Sequence, residues 1–145
     1  MSRTRGATVA AFACWAFGAI GVAFGLGMMG LVPLPHGDAP EAAAALPSGA
    51  PIVAFGALRV LAAAGFVVAG CGLWGMRSWA RPACLVVALT AIALNVAEPL
   101  VVFHGFPRES LVPTVMGSAW PAILVVACLH PDWRAAFRDP ARQAT

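Results

Sequence analysis

Residues 82–103 read PACLVVALTAIALNVAEPLVVF, an apolar run interrupted by one carboxyl group, Glu98. A helix needs ~20 mostly apolar residues to cross a bilayer. Helices are favoured there because hydrocarbon offers backbone amides no partner outside the helix itself. A strand of a membrane barrel would be shorter and would alternate polar with apolar residues, which this run does not. The stretch predicts a membrane-spanning helix, and it raises the question of why a carboxyl lies inside it.

The rest of the chain agrees. Its 145 residues are 61% hydrophobic and only 10% charged, with a mean hydropathy of +0.85. A soluble domain would carry roughly a quarter charged residues. Three further apolar runs, at about 7–31, 52–76 and 111–129, are long enough to span. The expected fold class is an all-α integral membrane protein, a four-transmembrane-helix antiparallel bundle forming one domain over 1–145. Pro33, Pro35, Pro40, Pro47 and Pro51 crowd a short outer loop over 32–51. MRSWARP (76–82) and HGFPRES (104–110) make the other two turns. The Ala run at 42–45 predicts a short surface helix within the first loop. The first run, about 25 residues, exceeds the roughly 7–15 of a signal-peptide core, so it is expected to stay as a span.

Orientation follows from the arginines, since loops rich in Lys and Arg stay cytoplasmic. Arg3, Arg5, Arg77, Arg81, Arg134, Arg138 and Arg142 fall on one side, whereas the other has Arg108 beside Asp38, Glu41 and Glu109. Both termini are therefore expected in the cytoplasm (N-in, C-in), with Trp74, Trp79 and Trp133 near that interface. The absence of Lys, with abundant Ala, Gly and Pro, suggests a GC-rich bacterial genome and hence a bacterial inner membrane. No basic stretch interleaved with aromatics is present, so no nucleic-acid partner is expected.

With spans and direction set, the intramembrane polar residues align in depth. Glu98 lies about five residues below the outer end of span three, roughly 8 Å at 1.5 Å per residue, with Asn95 one turn deeper on the same face. Arg59, on the descending span two, lies roughly 11 Å deep. Span four adds Thr114 and Ser118 in its outer half. A lone charge at such depth costs about 2.5–3.5 kcal/mol. An Arg–Glu pair on adjacent helices, with Asn, Ser and Thr supplying further hydrogen bonds, offsets that cost. Arg59, Asn95, Glu98, Thr114 and Ser118 are thus the expected polar layer, serving either as a clamp between helices or as an ion or ligand site. Pro99 beside the carboxyl, and Pro113 and Pro121 on span four, favour kinks.

Cys14, Cys71, Cys84 and Cys128 place one thiol in the cytoplasmic half of each span. Metal-binding cysteines usually come as close pairs, and none occurs here, so these are expected to be packing residues. His36 and His104, with Asp38 or Glu109, form only a loose outer grouping, and no His lies deep in a span to ligate a haem. No metal, cofactor or catalytic residue is expected. Gly21 and Gly25 stand in GxxxG spacing, and Gly65, Gly70, Gly72 and Gly75 follow in span two, which favours close helix contact.

The spacing Asn95-x-x-Glu98-Pro99 resembles a motif of the membrane-bound glutathione-transferase superfamily, also four-helix proteins. There the motif lies on the second helix behind arginines, so neither the family nor its activity is assigned. The expected function is that of a non-catalytic accessory or structural subunit of a bacterial membrane complex, with the bilayer and other transmembrane helices as partners. The alternative is a small transporter or channel component using the Arg59/Glu98 layer.

Overall fold

A computed structural model describes residues 5–32, 49–102 and 108–131, together with Trp133 and Phe137. Among them are four helices and no strand: α1 (Arg5–Met28), α2 (Ala50–Trp74), α3 (Ala80–Val102) and α4 (Arg108–Leu129). Three contain stretches long and apolar enough to cross a membrane: Gly6–Met28, Ala50–Trp74 and Ala80–Val101. The apolar part of α4, Thr114–Leu129, is shorter. The Ala42–Ala45 segment, His36, Asp38, Glu41 and His104 lie outside the described residues.

The helix ends follow local chemistry and shift the expected boundaries by a few residues. The second helix begins at Ala50 rather than Ile52 because Pro51 sits in its first turn. There the missing N–H would be unpaired in any case. Pro82 likewise falls inside the first turn of α3, which starts at Ala80. α1 stops at Met28, before the expected 31, in a glycine-terminated cap. Gly30 takes a left-handed φ of 72°, and the Leu31 and Gly30 amides donate to Leu26 O and Gly27 O, both at 2.9 Å.

α2 ends in the same way, but the left-handed position is held by Met76 (φ 51°). The Arg77 and Met76 amides donate to Gly72 O and Leu73 O at 2.9 and 3.0 Å. A side chain in that conformation costs roughly 1–2 kcal/mol. Met76 packs against the hydrophobic core, a contact glycine would forgo.

Consecutive helices pack antiparallel, α1 on α2, α2 on α3 and α3 on α4. Small residues set the approach of α1 to α2. A Cβ at Gly18 would lie 2.9 Å from Ala63 O, one at Gly21 2.9 Å from the Ala63 Cβ, and one at Gly25 2.7 Å from Gly56 O. Lower down, the Trp15 indole lies against Gly70 and joins Phe12 and Trp74 in a cluster with ring centroids 5.4 to 5.5 Å apart. The core is built largely of Ala and Cys around Phe66, Leu73 and Leu124. Large apolar side chains instead point outward on all four helices, among them Ile20, Leu61, Val86, Val115 and Met116.

Candidate functional site

The α2–α3 pairing brings Arg59 to Glu98. Arg59 Nε donates to Glu98 Oε2 at 2.9 Å, and the Arg59 Nη2 group donates to the same oxygen, closing an ion pair. Both side chains are mostly covered, at 22% and 14% exposure. The guanidinium also lies over the Phe24 ring of α1, its Cζ 5.3 Å from the centroid. A desolvated cation gains from an aromatic face, so Arg59, on α2, touches both α1 and α3. Phe24 gave no sequence signal, because its partnership depends on how α1 crosses α2.

The second half of the layer joins α3 to α4. Asn95, 7% exposed, donates from Nδ2 to Ser118 Oγ at 3.3 Å. It can sit there because Gly117 has no side chain: a Cβ at that position would meet Asn95 Nδ2 at 3.2 Å. Thr114, half-buried one turn earlier, makes no hydrogen bond to the layer among the described residues.

Two prolines add to the polarity at this depth. Pro99 lies inside α3 and Pro121 inside α4. Each lacks an N–H, so the carbonyls four residues earlier, those of Asn95 and Gly117, lose their helical donor. Both freed carbonyls belong to residues of the Asn95–Gly117–Ser118 contact.

Beside Arg59 and Asn95 is a cavity of about 30 Å³, walled otherwise by Phe17, Gly21, Ala62, Ala63, Phe66, Ala91 and Leu94. It lies where α1, α2 and α3 meet.

The cysteines divide. Cys14, Cys84 and Cys128 are fully buried in the core, and Cys71 faces outward. The Cys84 thiol is within hydrogen-bonding reach of both Cys14 and Cys128. No group of three His, Cys, Asp or Glu among the described residues is arranged to hold a metal ion. Nearby, Arg81 Nε donates to Cys128 O at 2.7 Å, closing a carbonyl in the last turn of α4.

No protein-family model matches the chain, no curated protein matches it, and no solved structure matches it. Fold and site together define a class: an all-helical bundle with three helices long and apolar enough to span a membrane, carrying an inward-facing ion pair between two of them.

Proposed function

We propose that the chain is a non-catalytic integral membrane protein of a bacterial inner membrane, an accessory or structural subunit acting through helix–helix contact. In this reading α4 also spans, and both termini lie in the cytoplasm. The supporting observation is the distribution of side chains. Ile20, Leu61, Val86 and Met116 face outward on four different helices, while the intramembrane charges turn inward and pair with each other. Such a molecule offers apolar helix faces to lipid or to partner helices. The placement of Arg77 and Arg81 at the α2–α3 turn supports the orientation. The test is purification of the tagged native protein in gentle detergent, with co-purifying components identified by mass spectrometry. Stoichiometric companions are expected; a lone monodisperse chain would overturn the accessory role.

A second reading, a small transporter or channel component, is favoured by one observation, the cavity against Arg59 and Asn95. On this reading, pH- or substrate-dependent flux into liposomes is present in the wild type and lost in Glu98→Gln. Absence of any flux in the wild type removes it.

A further inference from the structure

We propose that the cavity between α1, α2 and α3 is a hydration site, in which one or two waters bridge the Arg59 guanidinium and the Asn95 carbonyl that Pro99 leaves unpaired. This goes beyond both functional readings and holds whichever is right.

The argument begins with unmet hydrogen bonds. A guanidinium has five N–H groups. Two of those on Arg59 go to Glu98 Oε2, which leaves three without a partner among the described residues. The Asn95 carbonyl lacks its helical donor because residue 99 is proline. Away from water, each such group costs free energy comparable to a lost hydrogen bond. Arg59 and Asn95, which carry these groups, line the same small space.

Its size and charge select the occupant. A cavity must offer about 10–15 Å³ to hold one water, and this one has about 30 Å³. That matches one or two waters. An anion would compete with Glu98, which already occupies Arg59, and a cation would face the guanidinium. A neutral molecule that both donates and accepts satisfies both sides. Phe17, Phe66, Ala91 and Leu94 make the remaining wall apolar, so the water is held by Arg59 and Asn95. The consequence is mechanical. A water at this point lets the guanidinium exchange partners without entering hydrocarbon bare, so the ion pair can rearrange at bilayer depth.

The test is radiolytic footprinting of the full chain in nanodiscs with ¹⁸O-labelled water. X-ray pulses turn bound water into hydroxyl radicals, which mark the side chains beside it. Phe66 lines the cavity and is 1% exposed. Leu73 and Leu124 are equally buried, at 0% and 1%, but do not line it. The expected result is ¹⁸O on Phe66 several-fold above Leu73 and Leu124, each normalised to the intrinsic hydroxyl-radical reactivity of its side chain. Ala91→Leu, which fills the space, should bring that signal to background. Pro99→Ala, which returns an N–H to the Asn95 carbonyl, should lower it and serves as the second variant where Ala91→Leu fails to fold. Labelling of Phe66 no higher than Leu73, or labelling that neither variant changes, overturns the proposal.

Discussion

Mostly buried charges survive only in company, and Arg59 shows how much company one guanidinium takes: Glu98 from α3 and Phe24 from its own neighbour α1. Removing one partner of a mostly buried pair leaves the other uncompensated, at a cost of about 3–5 kcal/mol. Glu98→Met and Arg59→Met are each expected to lose stability of about that size, towards the lower end because neither side chain is fully covered. The double variant Arg59→Met/Glu98→Met is expected to be more stable than either single variant, since no bare charge remains. Unfolding in mixed micelles measures all three; additive losses would mean that the pair is not coupled. Asn95 depends on its neighbour in a different way. It sits where Gly117 has no side chain, so Gly117→Ala would crowd the amide at 3.2 Å and require it to shift by a few tenths of an ångström beside Ser118.

At the scale of the helices, contact between α1 and α2 is set by backbone approach. A Cβ at Gly25 would fall 2.7 Å from a backbone oxygen, Gly56 O, which cannot rotate away. Gly25→Ala is therefore expected to cost about 1–3 kcal/mol through overpacking. Gly6→Ala is expected to be neutral or slightly stabilising. Its new methyl would sit at an ordinary 3.6 Å from Trp133, and Ala is the better helix former. The same unfolding assay compares the two, and equal effects would show that the α1–α2 seam is not tight. Arg81 works at the other end of the bundle. Its bond to Cys128 O satisfies a carbonyl in the last turn of α4, and a hydrogen bond to a charged group contributes about 1.5–3 kcal/mol. Arg81→Ala should lose a stabilisation of that order and speed amide exchange in the last turn of α4. Unchanged exchange there would reduce Arg81 to an orientation signal alone.

For the whole molecule, the packing chain runs α1–α2–α3–α4 with sparse contact between non-consecutive helices. Cys14, Cys84 and Cys128 mark a place where three helices do converge. Native labelling with a lipid-permeant maleimide is expected to modify one of the four cysteines, Cys71, and all four after unfolding. Rapid modification of Cys84 in the native state would show that the core opens. Much of this architecture was legible beforehand. Four apolar runs and their proline breaks located all four helices to within about three residues at either end, and depth arithmetic put Arg59 and Glu98 level. The cysteines were less legible. One per run suggested a uniform layer, yet Cys71 faces outward, because its place on the α2 surface depends on which side of α2 receives α1 and α3.

Composition and run length are one-dimensional properties, and the presence of helices long and apolar enough to cross a membrane follows from them directly: a segment with too few polar groups to face water needs no tertiary detail to be recognised. The alignment in depth of Arg59 and Glu98 is likewise arithmetic on rise per residue. What only the tertiary structure decided is rotation about each helix axis and the distance between axes. Those quantities put Phe24 under Arg59, seat Asn95 on Gly117, leave Thr114 without a bond to the layer and open the cavity beside Phe66. The physical reason is that these helices are apolar on every side. No hydrophobic face announces which way a helix turns, so the fit of small residues against backbone, and the pairing of a few polar groups, set the geometry.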